Sequence, residues 1–250
     1  NLVSKGFGHL YAFDGDIRQI EKMEKIFGSN SSVLNYFLAD GCEHIAYICS
    51  EASGMTSILK PKKKALDFFN GFSQFGDVIR KEKVKTHKLN DVHEIDKIHF
   101  LKMDIQGAEL SVLMNGTDKL SDCVAIQLEV SYICLYEDQP TFGDIDVWLR
   151  KFGFVPHCFL DIKRWSISPI VNDNNFRKPF NQLLESDVVY VRDPLNLNSC
   201  SVEQVKTLGF LADNFFNSPD LAVYCLLDLI KRGVFSSEII SVYCNEHRSD

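Results

Sequence analysis

A strand, a tight turn and a helix are predicted for residues 98–110, IHFLKMDIQGAEL, the run that most constrains the fold. Its first half is apolar and indicates a buried strand, and Asp104 stands where that strand should end. Gly107 gives the backbone room for a tight turn. The apolar period then becomes helical, and Asn115-Gly116 ends the helix. The sequence therefore places a carboxylate at the carboxyl end of a predicted parallel strand, where open α/β sheets bind ligands.

Short apolar runs alternate with helical patterns over residues 1–194. This alternation predicts an α/β domain with a doubly wound, mostly parallel sheet. The predicted strands are 10–13, 33–38, 44–49 (antiparallel or at an edge), 98–104, 123–130 and 188–191. The predicted helices of this domain are 17–27, the one after Asp104, and 145–152.

Residues 195–250 are predicted to form a helical extension. Helical patterns cover 202–216, 221–231 and 237–244, and Ser218 is a suitable N-cap before Pro219. These helices are apolar enough to need a partner surface. We expect them to pack on the sheet domain or to form a homodimer contact.

The segment 57–90 interrupts the alternation with lysine clusters and four phenylalanines. Basic residues among aromatic ones can bind a phosphorylated or nucleic-acid partner. A solvated loop around a short helix, whose phenylalanines dock on the core, is the simpler interpretation and the one we favour. A loop of this length beside a ligand site can also act as a lid.

Composition excludes several classes of protein. A net charge of −7 and a pI near 5.5 argue against a nucleic-acid partner. No apolar stretch approaches the roughly 20 residues needed to span a bilayer, so no membrane association is expected. The eight cysteines include no C-x-x-C pair, which favours free thiols in the cytoplasm over disulfides or zinc ligands.

Acidic residues follow three predicted strands: Asp14, Asp40 and Asp104. Any one of them could be an ordinary turn or N-cap residue, but three at one sheet edge favour ligand binding. In nucleotide-binding α/β folds, an acidic residue about 20 positions after a Gly-rich loop binds the ribose, a role that suits Asp14. Counting back puts that loop at or before residue 1, so we expect the first strand and the loop to be missing from this chain.

Three motifs resemble those of FkbM-type methyltransferases. Residues 11–16 (YAFDGD), 89–91 (LND) and 102–109 (KMDIQGAE) are similar to that family's Tyr-Ala-Phe-Glu-Pro-Asp, Leu-Asp-Asp and Lys-x-Asp-x-Glu-Gly-Ala-Glu, in the same order and spacing. The similarity runs from about residue 10 to residue 192. It implies a class I, Rossmann-like methyltransferase fold, S-adenosylmethionine as cofactor, and O-methylation of hydroxyls on sugars or polyketides. Gln106 replaces the usual Glu, which removes a carboxylate, and Gly15 replaces the usual Pro, which loosens the turn.

The resemblance assigns expected roles to the acidic residues. Asp104 is the first candidate for the catalytic base or for orienting the acceptor hydroxyl, and Glu129, near the end of the next strand, is the second. Asp14 is expected to bind the ribose, with Asp16 as a further cofactor-binding candidate and Asp40 near the adenine. Glu109 is expected to cap the helix or pair locally.

Other candidate residues have structural interpretations that are simpler. His157 follows a proline, and we interpret it as structural. The acids and histidines of segment 91–99 match no established ligand spacing, so no metal is expected. Tyr132, Tyr136 and Phe142 could stack on a sugar or belong to the core.

Two other functions remain open at this point. A nicotinamide-dependent sugar-nucleotide oxidoreductase or epimerase would share the sheet and the ribose acid, but it would normally carry Tyr-x-x-x-Lys, and no tyrosine here has a lysine four residues later. A methyltransferase-like domain retained for binding or assembly is the other alternative, and Gln106 is compatible with it.

Overall fold

The computed structural model describes Val3 and residues 5–15, 17–50 and 53–246. Its strands are β1 (Leu10–Phe13), β2 (Ser31–Leu34), β3 (Phe37–Leu38), β4 (Glu43–Cys49), β5 (Val78–His87), β6 (Phe100–Met103), β7 (Ala125–Ser131), β8 (Phe154–Arg164) and β9 (Leu183–Arg192). Its α-helices are α1 (Ile17–Phe27), α2 (Lys63–Phe68), α3 (Glu109–Met114), α4 (Phe142–Lys151), α5 (Val202–Asn214), α6 (Pro219–Lys231) and α7 (Glu238–Glu246).

Within the described residues the strands pair into three sheets, ordered β1-β2, β3-β5-β4 and β6-β7-β9-β8. The pairs β1–β2, β3–β5 and β6–β7 are parallel, whereas β4 is antiparallel to β5. Strand β9 is antiparallel to both β7 and β8, between which it lies. The α/β class is confirmed, but the single doubly wound parallel sheet is not, because the sheets are mixed.

Helices cover both faces of the four-stranded sheet, because residues 188–191 of β9 are apolar on both sides. On one face, Ile126, Leu128 and Val130 pack against side chains of α3 and α4. On the other face, Val189 and Val191 pack against α5 and α6. Full burial of each such side chain contributes about 1.5–3 kcal/mol, so these two layers hold the sheet that carries β6.

The helices after Pro194 form as predicted, and they pack on the sheet. Helix α5 begins with a capping box, in which Ser201 and Gln204 each accept the other's backbone N–H. Helix α6 begins with Pro219 at its first turn. The domain division at residue 194 and a homodimer contact through these helices stay predictions.

The segment 57–90 is more regular than the predicted loop. Phe69 and Phe72 are buried, at 1% and 7% exposure, as the core-docking interpretation requires. However, the basic run 80–85 lies in the ten-residue strand β5, which the sequence did not predict. Among the described residues, no helix combines the length and the apolar character needed to cross a bilayer.

Candidate functional site

The turn after β6 has a strained backbone that buried contacts hold in place. Gln106 has φ 59° and Gly107 has φ 102°, and the left-handed region costs a residue other than glycine about 1–3 kcal/mol. Glu109 is only 3% exposed, and its Oε1 accepts the backbone N–H of Ile105 at 3.1 Å and that of Gly107 at 3.2 Å. A side chain at position 107 would also meet Leu59 at 3.1 Å. The expectation that Glu109 acts locally is confirmed.

Polar contacts connect Asp104 to this turn. Nε2 of Gln106 donates to Oδ1 of Asp104 at 2.6 Å, and Oε1 of Gln106 accepts from the hydroxyl of Tyr136 at 2.9 Å. The hydroxyl of Ser57 donates to the backbone carbonyl of Gln106 at 2.7 Å. Tyr136 is 2% exposed, and burial raises the pKa of its phenol, so the hydroxyl stays protonated and remains a donor. Asp104 itself is exposed.

A cleft of about 1600 Å³ is lined by β1, β6 and the turn after β6. Both β1 and β6 are edge strands of their sheets. At one end, both strands lie against α5 and its C-cap residue: the ring of Phe7, before β1, is 5.5 Å from that of Phe210 in α5, and the ring of Phe100 is 5.8 Å from that of the C-cap Phe215. Both strands therefore run away from α5, and their carboxyl ends bring Asp14 and Asp104 into the lining of the same cleft.

The end of β1 is attached to the loop after β2. The backbone N–H of Asp14 donates to the carbonyl of Leu34 at 3.3 Å, and the side-chain amide of Asn35 donates to the carbonyl of Asp14 at 2.9 Å. A Cβ atom at Gly15 would lie 2.3 Å from the ring of Phe37, so this ring occupies the space that a side chain at position 15 would need. The turn at Gly15 is therefore tightly packed, although it lacks the family's usual proline.

The structure does not bring Asp40 to the cleft. Its Oδ1 accepts from Nε2 of His44 at 2.8 Å, the backbone N–H of Cys42 at 2.9 Å and the hydroxyl of Thr86 at 3.3 Å. The hydrogen bond from His44 is the largest cause that lowers the pKa of Asp40 to about 2. These contacts give Asp40 a structural role in joining β4 to β5. Asp16, the other cofactor candidate, lies outside the described residues.

Glu129 points into an ionic cluster and does not line the cleft. Its carboxylate is 3.1 Å from Nζ of Lys163, which is 2.7 Å from the carboxylate of Glu185, and its side chain is 10% exposed. Burial, followed by the charges of Glu185 and Asp104, raises the pKa of Glu129 to about 8. Because Glu129 does not line the cleft and is engaged by Lys163, the geometry favours Asp104 of the two catalytic candidates.

The remaining candidates lie in the core or at element junctions. Nε2 of His157 is 3.0 Å from the hydroxyl of Ser218, at the start of α6. The hydroxyl of Tyr132 bonds to that of Ser186 at 2.7 Å, and its ring packs 5.8 Å from that of Phe142. In the part of the chain that the structure describes, no group of three or more His, Cys, Asp or Glu side chains could hold a metal ion.

Phe37 and Phe210 are two of the aromatic residues that line the cleft and had no predicted role. Phe37 falls in the predicted strand 33–38, which the structure divides into β2 and β3 around Asn35. The polar Asn35 inside an apolar run was a signal that could have indicated this break. Phe210 belongs to an ordinary amphipathic helix, and nothing local separates a cleft-facing aromatic residue from a core one.

The comparisons with known proteins agree with the motifs. The family model described as the methyltransferase FkbM domain matches residues 4–156, more than half of the chain. The matched range includes Asp14, the whole turn after β6 and Glu129. No curated protein and no solved structure matches the chain. The predicted family resemblance is therefore confirmed.

Proposed function

Because the chain belongs to the FkbM methyltransferase family, we propose that it is an S-adenosylmethionine-dependent O-methyltransferase. Its acceptor is a hydroxyl of a sugar, a polyketide or another small metabolite. The observation that carries the proposal is that Asp14 and Asp104, which follow different strands, line one cleft. A purely structural origin for the two acids gives no reason for them to share it.

The residues around Asp14 fit an adenosyl group. A carboxylate that follows a strand can accept hydrogen bonds from both ribose hydroxyls, and such charge-assisted bonds are roughly twice as strong as neutral ones. Phe37 offers an aromatic surface for a purine beside it, and the cleft volume of about 1600 Å³ accommodates a nucleoside together with an acceptor. Asp14 and Phe37 are therefore the residues that would hold the cofactor.

Asp104 suits the acceptor side of the cleft. When bound, S-adenosylmethionine supplies a methyl group on a sulfonium, which is already activated. The protein then has to orient the acceptor oxygen and remove its proton. Orientation can contribute several kcal/mol, and a general base contributes about 10²- to 10⁴-fold in rate. Asp104 is exposed to the cleft, and its position is fixed by Gln106, so it can accept the proton of a hydroxyl.

Calorimetric titration of the full-length protein with S-adenosylmethionine, and separately with NAD, tests the proposal. We expect binding of S-adenosylmethionine alone. Asp14→Ala should weaken it by roughly tenfold or more, since a hydrogen bond to a charged group contributes about 1.5–3 kcal/mol. Asp161→Ala, which removes an exposed acid of β8 outside the cleft, is the matched control and should bind normally.

Methyl transfer from labelled cofactor to a panel of sugar and polyketide hydroxyls tests the second acid. Asp104→Asn should bind the cofactor normally but lose about 10²- to 10⁴-fold in turnover. Binding of NAD in place of S-adenosylmethionine, or unchanged affinity in Asp14→Ala, would contradict the proposal. Wild-type turnover in Asp104→Asn would exclude that residue from the reaction.

A further inference from the structure

Gln106 contacts two groups of opposite hydrogen-bonding character. The carboxylate of Asp104 can only accept, so the amide nitrogen of Gln106 must face it, and the donor–acceptor distance is 2.6 Å. The amide oxygen then faces the hydroxyl of Tyr136, at 2.9 Å. An amide satisfies both neighbours at once, whereas an ionised glutamate has no donor for Asp104.

The contact is specific because the turn cannot easily rearrange. The left-handed backbone of Gln106 is held by the hydroxyl of Ser57 on its carbonyl and by the bonds of Glu109 on either side of it. The hydroxyl of Tyr136 is buried and comes from a segment 30 residues away along the chain. The side chain of Gln106 is thus held both at its backbone and at its amide oxygen.

The arrangement leaves one oxygen of Asp104 available. Oδ1 accepts from Gln106, and no hydrogen bond to a described residue engages Oδ2. Since Asp104 lines the cleft, Oδ2 is the atom that a ligand hydroxyl can reach. A glutamate at position 106 would instead bring a second carboxylate to hydrogen-bonding distance of the first, where the two cannot easily both ionise.

We propose that Gln106 is a positioning residue, which orients Asp104 so that Oδ2 accepts the proton of the acceptor hydroxyl. This inference rests on the proposed function. It makes the replacement of the family's usual Glu by Gln106 a working part of this site rather than a sign of lost activity.

The direct test follows the titration of the Asp104 carboxyl by carbon NMR in the protein without ligand. The resonance is assigned by its loss in Asp104→Asn. Q106E should move its midpoint to higher pH by about one unit or more, because a like charge disfavours ionisation. Q106M, which keeps the side-chain volume but removes the donor, should move it in the same direction by less. Gln74→Met, at an exposed turn away from the cleft, is the matched control and should leave the midpoint unchanged.

Turnover gives a second measurement that a merely structural role would not affect in the same way. Q106M should lower kcat by about tenfold or more, with S-adenosylmethionine affinity within about twofold of wild type. In Q106E the acidic limb of the pH–rate profile should move to higher pH. If Q106E does not fold, Q106M alone carries the test.

The two proposals fail in different ways. Absence of S-adenosylmethionine binding by the wild-type protein would overturn the proposed function, whatever the NMR titration shows. Normal cofactor binding, together with an unchanged Asp104 midpoint in folded Q106M, would overturn the role of Gln106 and leave the methyltransferase proposal standing.

Discussion

The stability of the turn after β6 should depend on the acceptor oxygen of Glu109 rather than on its charge. Oε1 of this buried side chain accepts the backbone N–H groups of Ile105 and Gly107. Glu109→Ala leaves both N–H groups without a partner, whereas Glu109→Gln keeps an oxygen in nearly the same place. The comparison of these two variants separates hydrogen bonding from charge.

The magnitude follows from the two lost partners. A buried donor left unsatisfied costs about 1–3 kcal/mol, so Glu109→Ala should lose roughly 4 kcal/mol in free energy of unfolding. For a domain of this size, each kcal/mol shifts Tm by about 2–4 °C, which predicts a fall of roughly 8–16 °C. Glu109→Gln should stay within about 1 kcal/mol of wild type, because burial raises the pKa of Glu109 and already disfavours its charged form.

Thermal melts followed by circular dichroism at pH 7 provide the measurement. A Tm for Glu109→Ala within a few degrees of wild type would refute the bracing role, because the two N–H groups would then have found other partners. An equal fall in the Tm of Glu109→Gln would also contradict the prediction, because the charge of the carboxylate would then be the stabilising feature.

Two further predictions concern the free energy of unfolding. Burial raises the pKa of Glu129 to about 8 in the folded protein, from an ordinary value near 4.5. The folded state therefore holds this proton more tightly than the unfolded state does. The resulting stabilisation is complete below about pH 4.5 and is lost as pH rises to 8. Urea denaturation at pH 5, 7 and 9 should therefore show a steeper loss of stability in wild type than in Glu129→Gln; parallel curves would contradict this. Gly15→Ala should destabilise by about 1–3 kcal/mol through the ring of Phe37, and combining it with Phe37→Ala should give less than the sum of the two single losses. Additive losses in that double-mutant cycle would mean that the ring does not limit position 15.

The parts of the fold that the sequence predicts well are those with local signals. The apolar run ending at Asp104, the glycine after it and the change of period to helix lie within 17 consecutive residues, and the structure forms β6, the turn and α3 there. The strand β4, predicted as antiparallel or at an edge, and the three helices after Pro194 are also confirmed. In each case, period and capping residues are enough to define the element.

The missed elements depend on pairing between distant segments. Strand β5 has so many lysines that it resembles a solvated charge run, and pairing with β4 makes it a strand. Strand β9 pairs with β7 from about 60 residues away and reverses the direction expected of a parallel sheet. No local pattern carries the direction of such a pairing, so the doubly wound arrangement was inferred from alternation alone.

The acidic site residues are also distinguished by contacts that the local sequence does not reveal. Sequence identifies Asp14, Asp40, Asp104 and Glu129 as equivalent strand-end acids, and only their spatial neighbours distinguish them. His44 and Thr86 engage Asp40, and Lys163 engages Glu129, across separations of up to 46 residues. These contacts hold Asp40 and Glu129 outside the cleft, whereas Asp14 and Asp104 belong to its lining.

The spatial neighbours of Gly15 and Gln106 also change how these two departures from the family motif are interpreted. Taken alone, Gly15 loosens a turn and Gln106 removes a carboxylate, and both changes suggest a weakened site. In the structure, the ring of Phe37 fills the space beside Gly15, and the amide of Gln106 links Asp104 to the hydroxyl of Tyr136. The ring leaves no room for a side chain at position 15, and an ionised glutamate at position 106 would lack the donor that the amide of Gln106 gives to Asp104. Both residues therefore fit the packing and hydrogen bonding around them, so neither departure argues against a functional site.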